Sequence, residues 1–230
     1  YSPYQDKDLM DISVFDSGDL ELCFGSSEMA LLDIEKRAKE ILYAGKFPLL
    51  LGGEHLVTLA AVRAVFHKYP DLHIIHFDAH ADLREDYLGQ KLSHATVIHR
   101  VWDLVGDNKI FQFGIRSGEK EEFLWAKDHV YTNKFNCDTL DYALEKVKDK
   151  PVYVTIDLDV LDPSVFPGTG TPEPGGIQFN ELLNSILKLR GLNIVGFDIN
   201  ELSPQYDQTG ASTAVACKVL REMLLVANNK

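Results

Sequence analysis

Cysteine is scarce: Cys23, Cys137 and Cys217 are the whole supply in 230 residues, odd in number and widely spaced. No disulfide framework is expected from them, and without a CxxC pair no thiolate zinc site either. The expected state is three small buried hydrophobes in a reducing cytosol, which makes the predicted location cytoplasmic. Runs of Lys and Arg are also missing. The chain carries 23 basic against 35 acidic residues, a formal charge of −12. A nucleic acid or an anionic membrane surface is therefore not the expected partner, because both require clustered positive charge. No segment approaches the roughly 18 consecutive apolar residues of a membrane helix. No signal peptide is visible in a chain that begins at Tyr1 rather than Met, and there is no internal repeat or low-complexity tract. What is present is ordinary globular material, 45% apolar and 25% charged, which excludes wholesale disorder.

The apolar residues fall into short runs of buried-strand length: Phe47–Leu51, His73–Phe77, Ile110–Phe113, Val152–Ile156 and Ile194–Phe197. Amphipathic stretches lie between and around them: Ser27–Ala44, Val57–Lys68, Lys120–Lys127, Thr139–Lys148, Phe179–Leu189 and Thr213–Ala227. Asp138 and Asn180 are placed to cap two of these helices. Strands apolar on both faces need helices on both faces. The expected fold is thus a single α/β domain over 1–230, three layers α/β/α around a mostly parallel sheet. One long irregular stretch, Leu158 to Ile177, is stiffened by proline and glycine, and a loop of that length inside a compact domain points to function.

Ligands of open parallel sheets bind at the carboxyl ends of the strands, so the residues following each strand define the search. They are Gly52-Gly53-Glu54-His55, Asp78-Ala79-His80-Ala81-Asp82, Asp157-Leu158-Asp159 and Asp198-Ile199-Asn200-Glu201. A single Asp after a strand is usually a turn or cap residue, and Asp198, a turn ahead of Glu201, is read as capping or structural. His67 and His129 are read as ordinary surface or core residues. Several carboxylates and two imidazoles at one sheet edge are another matter. Gathered in a cleft, the acids repel and are costly to desolvate unless cations neutralise them. Two divalent ions balance four carboxylates, and oxygen-rich ligands with two imidazoles suit Mn²⁺ first, then Co²⁺, Fe²⁺ or Zn²⁺. The D-x-H-x-D and D-x-D spacings aim alternate side chains the same way in extended chain. Gly168-Thr169-Gly170 is not read as a phosphate cradle, since no Lys or Arg follows it in the loop.

These segments, with Gly-Phe-Asp-Ile-Asn-Glu at 196–201 and Gly-Thr-Gly-Thr-Pro-Glu-Pro-Gly-Gly at 168–176, resemble the signatures of the ureohydrolases, the arginase and agmatinase family. The resemblance runs in order over nearly the whole chain. It implies an arginase-like α/β fold and a di-manganese centre that hydrolyses guanidino compounds to urea and an amine. By motif position, one Mn²⁺ would be held by His55, Asp78, Asp82 and Asp157, the other by His80, Asp78, Asp157 and Asp159. A bridging water deprotonated between the two ions would be the nucleophile. His94, in Ser93-His94-Ala95-Thr96, matches the family's proton-shuttling histidine, although the residues alone suggest an ordinary helix-start histidine. Glu201 matches the glutamate that grips the guanidinium.

The stretch from Leu83 to Leu92 departs from the arginase pattern and, with Ser-His-Ala-Thr, is similar to agmatinases. The implied substrate is agmatine, a small dication that Glu85 and Asp86 would attract, provided Arg84 pairs with those two acids. Guanidinobutyrate, arginine and formiminoglutamate are the alternatives within the family, and a non-catalytic metal-binding relative is the alternative outside it. The resemblance also implies a homo-oligomer, trimer or hexamer. Set against the family, the chain lacks an N-terminal strand and loop before its Ser-Pro-Tyr region, so either that element is missing from this sequence or the protein is a shortened form with an incomplete cleft.

Overall fold

The structure, a computed structural model, describes residues 1–228, so the expected domain 1–230 extends two residues beyond it. The elements in chain order are α1 (Ser27–Tyr43), β1 (Leu49–Leu51), α2 (Val57–Lys68), β2 (His73–Phe77), α3 (Val97–Val105), β3 (Ile110–Ile115), α4 (Lys120–His129), β4 (Tyr131–Lys134), α5 (Leu140–Val147), β5 (Pro151–Asp157), α6 (Phe179–Lys188), β6 (Asn193–Asn200) and α7 (Ala211–Ala227). The six strands form one sheet in the order β1-β6-β5-β2-β3-β4, and every pair is parallel. This is the α/β class the strand patterns predict.

Period-two alternation splits the sheet residues between two cores. Ile74, Ile110, Tyr153 and Val195 face a layer built from α1, α2 and α3. Ile75, Phe113, Val154 and Phe197 face the other, built from α5, α6 and α7. Helix α1 shows how sequence builds such a layer. Ser26 accepts a bond from the Met29 amide at its start, and Leu31, Ile34, Ala38 and Leu42 recur at helical spacing as its buried stripe. Each fully buried Leu, Ile or Phe contributes about 1.5–3 kcal/mol relative to exposure.

Some boundaries differ from expectation, for physical reasons. The first strand is three residues long rather than five, because Pro48 has no amide hydrogen for a ladder and Phe47 packs instead on Phe197, ring centres 6.2 Å apart. Neither expected cap functions: α5 starts at Leu140 behind Thr139, and α6 starts behind Gln178, which places Asn180 inside the first turn. Helix α3 and strand β4 are additions. The first is hidden behind a 3-10 turn at His94–Thr96, and the second is a four-residue edge strand with no apolar run. Of the cysteines, only Cys137 is buried; Cys23 is partly exposed and Cys217 exposed, all three as free thiols.

Candidate active site

The four segments singled out by sequence leave β1, β6, β5 and β2, which are consecutive neighbours in the sheet, so their carboxyl ends deliver side chains to one place. His55 is buried, and its Nδ1 lies 3.1 Å from Asp78 Oδ2, 3.1 Å from Asp82 Oδ2 and 3.3 Å from Asp157 Oδ2. His80 Nδ1 lies 3.1 Å from Asp159 Oδ2 and 3.5 Å from Asp78 Oδ1. All six expected metal residues are thus brought together. His55, His76 and Asp78, and separately Asp78, His80 and Asp159, are arranged so that each trio could hold an ion, with Asp78 common to both.

The local backbone explains the convergence. Asp78 Oδ1 accepts from the His80 amide at 2.5 Å, and Asp157 Oδ1 from the Asp159 amide at 2.9 Å, so in each motif the first acid folds the chain to present the second residue. Asp159 Oδ1 accepts from the Ala79 amide at 3.2 Å, joining the two loops. Asp82 and Glu201 adopt left-handed backbone, φ 54° and 64°.

Electrostatically the cluster is far from neutral behaviour. Burial, followed by the charge of Asp78, pushes Asp82 up to about 7, and burial with the charges of Asp159 and Asp78 pushes Asp157 well above the carboxylate range. Burial opposes protonation of His80, but hydrogen bonds to Asp159 and Asp78 outweigh it and raise the ring to about 11. His55 is raised for the same reason by Asp78 and Asp82. The ion-pair partners of these acids are imidazoles, so four carboxylates share two or three rings. That donor set, acid-rich and buried, fits divalent cations.

At the mouth, Glu201 lies beside the cluster with its Oε1 accepting the His55 amide at 2.8 Å, and burial raises its carboxyl above the usual range. His94 does open a short helical turn, and it is also tied to the site. Glu54 Oε1 accepts from its amide at 2.7 Å and pairs with Nδ1 at 3.1 Å, a contact that raises the imidazole above its ordinary value. Glu85 and Asp86 are exposed in the loop between Asp82 and His94. Arg84 does not pair with them, so the proviso is not met in that form. It reaches Glu119 at 3.2 Å and Glu122 at 3.5 Å and lies over the Tyr87 ring at 5.0 Å, which withdraws its charge from the mouth.

Asp198 is structural but not a cap. It sits within β6, buried, and accepts from Tyr153 OH at 2.6 Å and Asn200 Nδ2 at 2.7 Å. Several supporting residues escaped sequence reading. Arg116 holds the loop after β5 by donating to the carbonyls of Asp159, Val160 and Glu173 at 2.8, 3.0 and 2.7 Å. Gly176 is required there, since a Cβ would lie 2.6 Å from both Arg116 Nη2 and the Asp162 amide. Thr155, His76 and Gln112 lie inside strands, and Glu54 next to a more conspicuous histidine. Each is a polar residue in or beside an apolar run, the one signal that marks it.

The profile described as Arginase family matches residues 1–226. The agmatinase of Bacillus anthracis is 51% identical over 230 residues, which cover 98% of this chain and 79% of that protein. The agmatinase of Bacillus subtilis is 49% identical over 229 residues, with the same two coverages of 98% and 79%. A solved structure described as a candidate agmatinase from Clostridium difficile superposes with a TM-score of 0.96 at 54% identity, over 99% of this chain and 84% of that one. Sequence and fold therefore point to the same set of relatives.

Proposed function

The chain belongs to the arginase family as an agmatinase-type ureohydrolase, and from that premise we propose that it hydrolyses agmatine to putrescine and urea. Two Mn²⁺ ions are its cofactors in this reading, one held by His55, Asp78, Asp82 and Asp157, the other by His80, Asp78, Asp157 and Asp159. The observation that carries the reading is the meeting of three buried carboxylates on one imidazole nitrogen, beside a second trio that shares Asp78. When bound, two divalent ions offset the carboxylate charge, lower the pKa of water in the site and polarise a guanidinium.

The remaining chemistry belongs to the side chains. Glu201, its Oε1 fixed by the His55 amide, pairs with the planar guanidinium and presents its carbon to the cluster. Attack by water on that carbon is followed by cleavage of the bond to the butylamine nitrogen. The oxygen and two nitrogens leave as urea, and the departing amine takes a proton. His94, whose imidazole Glu54 raises above its ordinary value, is the donor for that proton. The exposed Glu85 and Asp86 and the net −12 favour approach of a dication.

The chain acts in this reading as one catalytic domain, in the cytoplasm, where its three free thiols stay reduced. Among the described residues no helix is long and apolar enough to cross a membrane. The family resemblance is what supports self-association as a trimer or hexamer, which sedimentation velocity measures. Urea release from agmatine by Mn²⁺-loaded protein tests the function. Absence of urea from agmatine refutes the substrate, and turnover of guanidinobutyrate, arginine or formiminoglutamate in its place reassigns it while leaving the site intact.

A further inference from the structure

The sheet register places a row of polar residues side by side across five strands, directly beneath the cluster. Asp198 of β6 pairs with Thr155 of β5, Thr155 with His76 of β2, His76 with Gln112 of β3, and Gln112 with Thr132 of β4. Asp198, Thr155, His76 and Gln112 are fully buried. Polar groups at such depth are costly unless bonded, so their bonds should say what they are for.

The bonds settle the direction of every proton around His76. The Ala81 carbonyl can only accept, so the Gln112 amide nitrogen donates to it, at 2.7 Å. Gln112 Oε1 meanwhile accepts from Thr132 Oγ1 at 2.9 Å. The second hydrogen on Gln112 Nε2 faces His76 Nδ1 at 3.1 Å, which makes Nδ1 an acceptor. His76 Nε2 therefore carries the hydrogen and donates it to Asp78 Oδ2, 2.8 Å away. Both ring nitrogens are then occupied. Although His76 is one of a trio able to hold an ion, it has no lone pair left to offer one. On the other side of the row, Thr155 Oγ1 lies 2.9 Å from His55 Nε2, the ring nitrogen turned away from the carboxylates.

We propose that this row is a support layer for the metal centre, in which Gln112 and His76 position Asp78 while Thr155 positions His55, and that His76 is a hydrogen-bond donor rather than a metal ligand. The inference rests on the two-ion reading above. Asp78 is shared by both trios, so a rotation of its carboxylate disturbs both ions at once. Outer partners of this kind fix ligand orientation, and their loss typically weakens metal binding by about 10–100-fold.

The test compares Mn²⁺ binding, by titration and by paramagnetic resonance of the ion pair, in wild type, His76→Phe and His76→Gln. Glutamine sets an N–H where imidazole has Nε2; phenylalanine offers none. The expected result is two ions in all three, with affinity about 10–100-fold weaker in His76→Phe and largely restored in His76→Gln. Equal affinity in wild type and His76→Phe overturns the support role. Loss of one ion from His76→Gln makes His76 a ligand and overturns it as well. Wild type that takes up no Mn²⁺ refutes the two-ion reading itself, a different failure from variants that match a two-ion wild type. Should His76→Phe not fold, ¹⁵N spectra of labelled histidine in the metal-free wild type decide the matter. They should show His76 protonated at Nε2 alone, and a proton on Nδ1 refutes the relay.

Discussion

Loading the site with Mn²⁺ should expel protons, and their number follows from the cluster itself. In the metal-free protein at pH 7, His80 at about 11 and His55, raised well above its ordinary value, are both protonated. Burial and its acidic neighbours push Asp157 well above the carboxylate range, and Asp82, at about 7, is half protonated. Asp78 is ionised, because hydrogen bonds from His55 and His76 outweigh its burial. A metal ligand must give up its proton, so filling the site with two ions releases more than one proton, from His80 and Asp82 at the least. The sign is fixed by the direction of these shifts: binding tightens as pH rises. Around pH 7 the joint association constant should climb by more than about one power of ten per pH unit. Calorimetric titration in buffers of different ionisation enthalpy counts the protons directly, and a pH-stat offers an independent count. Release of fewer than one proton per pair of ions would mean that Mn²⁺ binds somewhere other than among these residues, and the site assignment would fall with it.

Three further outcomes are expected. Asp157→Asn should lose at least one ion and nearly all urea production, since an amide cannot offer anionic oxygens to two cations; retention of two ions in metal analysis contradicts the bridging role. In Glu54→Gln the bond that chiefly raises His94 is weakened, so its pKa falls. The alkaline limb of the kcat/KM profile, which needs protonated His94, should shift to lower pH, and kcat should drop more than KM rises; an unmoved limb removes His94 from proton transfer. Tyr153→Phe takes a 2.6 Å donor from the buried Asp198 carboxylate. A hydrogen bond to a charged group is worth about 1.5–3 kcal/mol, so urea denaturation should show a loss in that range, and a change near zero would mean that Asp198 is not ionised in the fold.

Strand ends were the legible part of this chain. The motifs at 52–55, 78–82, 157–159 and 198–201 could be assembled into one site because parallel strands deliver their carboxyl ends to the same edge. The order of the strands was not legible. Strand β6 lies between β1 and β5, and no residue announces it, because the insertion is decided by how α1, α2, α6 and α7 pack on the two faces. The polar row was hidden for a related reason. Thr155, His76, Gln112 and Thr132 each interrupt a different strand, and their kinship exists only in the register. The pairing of Arg84 was not legible either, because its partners Glu119 and Glu122 are distant in sequence.

Strain separates the acids into two kinds. Asp157 ends its strand in extended geometry and Asp78, just past β2, has no positive φ, whereas Asp82 and Glu201 occupy left-handed backbone, at a cost of about 1–3 kcal/mol each. Glycine would adopt that backbone without strain but has no carboxylate to offer, so the chain keeps an acid where conformation disfavours one. The surroundings hold both residues by bonds from other segments. The first amides of α3, Ile98 and His99, donate to the Asp82 carbonyl at 3.1 and 3.2 Å, and the Leu83 amide donates to Glu122 at 2.9 Å. The Glu201 amide donates to the Gly53 carbonyl at 2.8 Å while its carboxylate takes the His55 amide. The left-handed turn reverses the chain just past the strand end and carries each carboxylate back toward His55. Helix α3, invisible as a motif, is therefore part of the site, because its first turn supplies two of the bonds that hold Asp82 in the conformation that brings it to His55.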